Sequence, residues 1–278
     1  MGNAQQRVTS GSSEKSWLEE AGISMHPSSA AEALTALEAV AGRLLRNGDP
    51  RAAFPDVYAI ITRRVAESVA LGEGGLFLEP LWISRLAGRF CERYLETLRC
   101  SLERRVQDIE AWSLAYRTPG ESLPVQRVLL GLSAHINYDL PIGIARTIAE
   151  LGAAADRARL GRFRHDHDAV NDLLRASIPE AFDRLIGRHD CAASRLLFAR
   201  AYGPAEWAAM ELLITWRARV WDDAMELLQA RPTASRARVL RRLERRSRRI
   251  AQMLALPARL PMGRARRLPV GTGLAAPG

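Results

Sequence analysis

Val128-Leu129-Leu130-Gly131-Leu132-Ser133-Ala134-His135-Ile136-Asn137-Tyr138-Asp139-Leu140-Pro141-Ile142-Gly143-Ile144 is apolar at both ends, with a polar string from His135 to Asp139 in its middle. The flanking residues are those of a buried element, and Ser122-Leu123-Pro124 offers a start for a long apolar helix reaching about Ala154. His135 and Asp139 are four residues apart, so they project from one helical face. A proline inside a helix removes one hydrogen bond and crowds the carbonyl four residues back. For Pro141 that carbonyl belongs to Asn137, so a kink is expected, with a freed backbone oxygen beside two side chains able to bind a cation. A buried carboxylate needs a metal, a cation or several donors. A purely structural reading stands beside this one: His135 and Asp139 pair with each other or with an arginine and stabilise the kink.

Outward from this run, periodicity predicts an all-α protein with one multi-helix, bundle-like domain. Leu34, Leu37, Val40, Ala41 and Leu44 mark a helix from Ala30 to Asn47-Gly48, and Val57 to Val69 mark one over about Pro55–Leu71. A third starts at Pro80 and extends through Leu98, with Tyr116 as its outer limit. After the Thr118-Pro119-Gly120-Glu121 loop and the central run come Arg164–Ala176, Pro179–Arg188, Glu206–Gln229 with Trp207, Trp216 and Trp221, and Ser235–Leu256. The boundaries read as a flexible arm at 1–29, a helical core at 30–230, and a basic helix with a disordered tail at 231–278.

The net charge of +9 belongs to the C-terminal part. Between Arg231 and Arg267, 13 arginines stand against Glu244 alone, so this stretch carries +12 and the rest of the chain −3. Such a segment can dock on an anionic surface or a protein, or it can be a solvated helix face. No specific nucleic-acid motif accompanies it. Cys91, Cys100 and Cys191 form no CxxC and suggest neither a disulfide framework nor a zinc ribbon. No N-terminal apolar segment and no run of about 18 apolar residues is seen, so a cytoplasmic chain without a transmembrane segment is expected. GxSxG, a P-loop and a GxGxxG opening a helix are lacking, which argues against α/β-hydrolases, nucleotide triphosphatases and Rossmann dehydrogenases. Glu-x-x-His is lacking too, which argues against a ferritin-like di-iron centre.

A second polar cluster, Arg164-His165-Asp166-His167-Asp168-Ala169-Val170-Asn171-Asp172, places His165, Asp168 and Asp172 on one helical side, with His167 and Asn171 on another. His and carboxylates at such spacing suit a metal site between helices. Asp166 reads as an acidic, solvated helix start. The order His135, His167-Asp168, Asp222 or Asp223 also follows that of helical His-Asp phosphohydrolases, with His189-Asp190 as an equal match for the pair. Asp222-Asp223 by itself reads as a solvated helix face.

Ala134-His135-Ile136-Asn137-x-Asp139-Leu140-Pro141, the segment ending in Val170-Asn171-Asp172, and Trp216-Arg217-x3-Trp221 resemble an uncharacterised family of all-helical bacterial proteins of actinobacterial type. The resemblance extends from about Phe54 to Leu228 and includes Pro80-Leu81-Trp82 and Phe90/Tyr94. It implies a helical fold and points to His135, Asn137, Asp139, Asp168 and Asn171, without an activity.

The leading expectation is a metal-dependent enzyme, a hydrolase acting on an ester or phosphoester of a small hydrophobic molecule. His135, Asp139 and Asp168 would hold a divalent metal ion, with His165 or His167 completing the shell and the metal activating water. His135, Asp139, Asn137 and Asn171 form the catalytic set, the asparagines orienting substrate or a neighbouring carboxylate. Two other readings stand beside it: a metal-free acid/base enzyme of small-molecule biosynthesis, and a non-catalytic helical ligand-binding or interaction protein using the 231–267 segment.

Overall fold

The apolar run becomes the centre of the protein. The computed structural model describes residues 17–72, 74–103, 105, 109–117, 123–189, 192–230 and 233–255, and every regular element among them is helical. In chain order these are α1 (Trp17–Glu20), α2 (Ala30–Arg46), α3 (Ala53–Ala70), α4 (Pro80–Leu102), α5 (Glu110–Arg117), α6 (Pro124–Ala134), α7 (Leu140–Glu150), α8 (Arg157–Arg188), α9 (Ala192–Gln229) and α10 (Thr233–Leu254). A π turn, His135–Asp139, joins α6 to α7, and a 3-10 turn, Pro50–Ala52, leads into α3.

Pro124–Glu150 is therefore one rod, touched by α3, α4, α5, α9 and α10. A helix apolar on every side must be covered on every side. By length and composition the rod could cross a membrane; here 94% of its most apolar stretch is buried inside the protein. The expected bend at Pro141 takes the form of the π turn just before it, with the Leu140 N–H bonded to the His135 carbonyl. Pro141 then falls in the first turn of α7, where a missing N–H costs least.

Several helix boundaries differ from the sequence reading. The helix begun by Pro80 stops at Leu102, and Glu110–Arg117 is a separate element. Arg164–Ala176 and Pro179–Arg188 are parts of one helix, α8, with Pro179 inside it. Contacts to α3 clamp the part beyond the proline: Arg64 bonds Glu180, and Asp56 accepts from Arg184, Arg188 and His189. Burial pushes the Asp56 carboxyl up, but His189 and the two arginines outweigh this and hold it below its usual value. The last correction is at α9, which starts at Ala192 rather than Glu206.

Residues 17–29, assigned to a flexible arm, pack on the body. Leu18, Ile23 and Met25 are buried, and the Ser29 hydroxyl caps α2 by accepting from the Glu32 N–H. Gly88 of α4 makes room for this segment, since a Cβ there would stand 2.5 Å from the Pro27 carbonyl oxygen. Residues 1–16, and the tail expected beyond Pro257, lie outside the described residues.

The basic segment is part of the core up to Leu254. Val239, Leu243, Ser247 and Ala251 are buried, and α10 contacts α5, α6, α9 and the π turn. Arg242 and Arg246 bind Asp223, which is buried rather than on a solvated face, while Asp222 is exposed beside Arg164. Arg238, Arg241, Arg245 and Arg249 point outward. Trp216 and Trp221 enter the core as expected of packing residues, whereas Trp207 is 69% exposed.

Candidate functional site

The π turn holds a string of buried polar groups. His135, Asn137 and Asp139 are each no more than 2% exposed. His135 Nδ1 lies 3.1 Å from Asp139 Oδ2, and the same oxygen accepts from Trp112 Nε1 at 2.9 Å. Asp139 Oδ1 faces Arg93 Nε at 3.6 Å, and neither of these two atoms has a hydrogen bond. His135 and Asp139 thus pair with each other, with an arginine behind them.

Asp139 determines which histidine nitrogen is free. With Nδ1–H directed at the carboxylate, Nε2 carries the lone pair. That Nε2 is buried and has no hydrogen-bond partner. The ring stacks on Phe90, with centroids 3.3 Å apart, and meets Tyr58 edge-on at 5.0 Å. Burial holds the imidazole pKa below its ordinary value; Asp139 opposes this shift, and Arg93 adds to it.

His135 lines a cavity of about 90 Å³ whose other polar walls are Tyr58, Thr62, His167 and Arg217. Burial holds the Tyr58 hydroxyl well above its ordinary pKa, so it stays protonated. An apolar groove of about 370 Å³, bounded by α3, α6, α8 and α9, shares Ile61, Leu132 and Leu174 with it. Cavity and groove are therefore neighbours separated only by aliphatic side chains.

Opposite His135, α8 and α9 bring His167, Asn171 and Arg217 together. Arg217 Nε donates to Asn171 Oδ1 at 2.7 Å, and its Nη2 donates to the His167 carbonyl and approaches His167 Nδ1 at 3.4 Å. His167 Nε2 in turn lies 3.3 Å from the Arg217 carbonyl, which makes Nε2–H the donor and leaves Nδ1 to accept. Burial lowers the His167 pKa well below its ordinary value, and the Arg217 charge lowers it further. Arg217, 6% exposed, has its own pKa brought down to about 10 by burial, so it stays charged at neutral pH.

The expected metal shell is not gathered in one place. His135 and Asp139 are at the π turn, but His165 and Asp168 lie on the exposed side of α8, beside Asp166 and Arg164 respectively. Among the described residues no three His, Cys, Asp or Glu side chains group as metal ligands. The helical pitch explains this: three residues separate His165 from Asp168, and both fall on the face opposite the buried Phe163, His167 and Leu174. His167, not His165, faces the interior. Asp166 is buried rather than solvated, and it accepts from the Leu78 and Glu79 N–H groups at 2.8 and 2.7 Å, capping the start of α4 from another helix. Asn137 does not reach the cavity wall; its Nδ2 donates to the Ser133 carbonyl one turn back.

Sequence reasoning missed Arg217, Arg93 and Trp112. For Arg217 a signal existed, because it shares the apolar face of α9 with Leu213, Val220 and Trp221, where an arginine is out of place. Arg93 and Trp112 reach Asp139 from helices distant in the chain, and no local pattern marks them.

Residues 30–257 match one family of proteins, described only as a family of unknown function. No curated protein and no solved structure matches the chain.

Proposed function

The chain belongs to the DUF5995 family, of unknown function, and we propose that it is an acid–base enzyme acting on a small, largely apolar molecule, with His135 as the proton-transferring residue. The observation that carries this reading is His135 Nε2, a buried lone pair with no partner at the wall of a cavity. Leaving such an atom unsatisfied costs free energy. The cost has a use if a substrate proton is what the atom meets.

His135 Nε2 would take a proton from the substrate, or from a water at the substrate, with the bonding pair staying behind. The imidazolium so formed has Asp139 at its Nδ1 side to balance its charge. Burial keeps the resting ring neutral, which is the form a base needs. Trp112 and Arg93 hold Asp139 rather than the substrate, so they are positioning residues. Asn171 is one as well, since it orients Arg217. Charge developing on the substrate would meet Arg217 and the Tyr58 hydroxyl across the cavity. The side chains of His165 and Asp168, expected in a metal shell, take no part in this chemistry.

The test is a screen of apolar esters, ketones and enolisable acids for turnover, and for C–H exchange into heavy water followed by NMR. His135→Gln should reduce the rate on any substrate found by roughly a hundredfold or more. Full activity in that variant would overturn the assignment. Tight binding of panel compounds with neither turnover nor exchange would show a ligand-binding protein instead.

A further inference from the structure

Arg217 poses a separate problem. It is a buried guanidinium, and no carboxylate among the described residues lies within 4 Å of it. Its Nε and Nη2 are occupied by Asn171 and His167, while Nη1 donates to no described residue. The nearest acidic influence is Asp168, which faces solvent at the outer side of α8. Removing an ion from water costs several kcal/mol unless a counter-charge compensates it. Other buried acid–base partners here obey that rule: Asp56 has two arginines and His189, and Asp223 has Arg242 and Arg246. Arg217 is an exception, and it lines the cavity that His135 lines.

From this we infer that the cavity takes a molecule with one carboxylate head and an apolar tail, the head paired with Arg217 and the tail lying in the adjoining groove. Three features specify that class. The head site is small, about 90 Å³, and offers a single cation, which suits a monoanion better than a phosphate dianion. The guanidinium plane is held by Asn171 and His167, so its remaining edge is aimed before the ligand arrives, the geometry a carboxylate pairs with. The groove beyond Ile61, Leu132 and Leu174 is lined by aliphatic and aromatic side chains, with Ser177 as its one hydroxyl, and that hydroxyl is spent on the Leu173 carbonyl. The groove thus offers a tail no free polar partner. The inference names the substrate class for the acid–base reading and in that respect rests on it, but the anchoring role of Arg217 holds whether or not His135 transfers a proton.

The experiment is calorimetric titration of the full chain with three probes of equal chain length: decanoate, decanol and decyl phosphate. Decanoate should bind on the order of tenfold more tightly than decanol, the effect of one hydrogen bond to a charged group. Equal affinities for the two would overturn the anchor. Tighter binding of decyl phosphate would overturn the carboxylate assignment. Arg217→Met should abolish the preference for decanoate, whereas His135→Ala should keep it. Retention of the preference in a folded Arg217→Met protein would also overturn the proposal. If that variant does not fold, the three-probe comparison on the unaltered chain still decides. A preference for decanoate, together with neither turnover nor exchange for any compound of the ester, ketone and enolisable-acid panel, would sink the acid–base reading and leave the anchor standing.

Discussion

Arg246 Nη2 lies 3.5 Å from the carbonyl oxygen of Asn137, the oxygen that Pro141 cannot serve with an N–H. A cation does stand by the proline-freed carbonyl, and it is a side chain of α10, which also binds Asp223. Arg246→Met should therefore lower stability by about 1–3 kcal/mol, between the cost of breaking an exposed and a fully buried pair. Urea denaturation of Arg246→Met, Asp223→Asn and the double variant will check it, because a coupled pair gives less than additive losses. Strict additivity would mean that the contact contributes nothing.

Removal of residues 233–278 should unfold the body rather than trim an appendage. Val239, Leu243 and Ala251 are buried against α5, α6 and α9, and their loss would bare the flank of the central rod. The expected result is loss of the cooperative thermal transition, read by circular dichroism. A truncated chain that melts as the full one does would contradict this.

Stability should decline as pH falls below about 6.5. His135 and His167 both have folded pKa values below the ordinary 6.5, chiefly because both are buried. Between that value and the folded ones the unfolded chain binds protons that the folded chain resists. Stability is then complete above 6.5 and is lost as pH drops, by about 1.4 kcal/mol per pH unit for each histidine. His167→Gln should flatten the slope of unfolding free energy measured from pH 7 to 5. An unchanged slope would show that His167 titrates freely in the fold.

Gly88→Ala should loosen the 17–29 segment. The added methyl would meet the Pro27 carbonyl oxygen at 2.5 Å and the Ser28 backbone at 2.8 Å, so the segment must shift. A loss of about 1–3 kcal/mol is expected for such overpacking. Limited proteolysis near Met25 should speed up; protection equal to the parent chain would argue that the backbone yields without cost.

What the sequence disclosed is local in character. Asn47-Gly48 stops α2 because Gly48 adopts φ +64°, and His135 meets Asp139 because four residues bring them round to one face. The buried character of Pro124–Glu150 was equally legible from its composition. What stayed hidden depends on meetings across the chain. His167 and Arg217 are 50 residues apart, and only the packing of α8 on α9 makes one the partner of the other. The same holds for Trp112, which reaches Asp139 from α5. Asp166 was read as a solvated acid because nothing near it in the chain announces that the start of α4 will need its oxygens. Metal spacing on α8 was real as a pattern, but a single helix cannot say which of its faces turns inward.

The π turn has a consequence for chain length as well as for chemistry. A residue in it advances roughly 80–90° about the axis instead of 100°, so five residues there occupy the arc that fewer would cover in a regular helix. Five such residues sweep roughly 400–450°, close to the roughly 400° of four α-helical ones, so deleting one of them would let the rod close into continuous α-helix while turning α7 by no more than about 50° against α6. Ile144 and Ile148, now wholly buried, would keep nearly the same side of the rod. The extra residue is thus absorbed almost without turning one half of the rod against the other, and what it alters is which side chains stand at the bend.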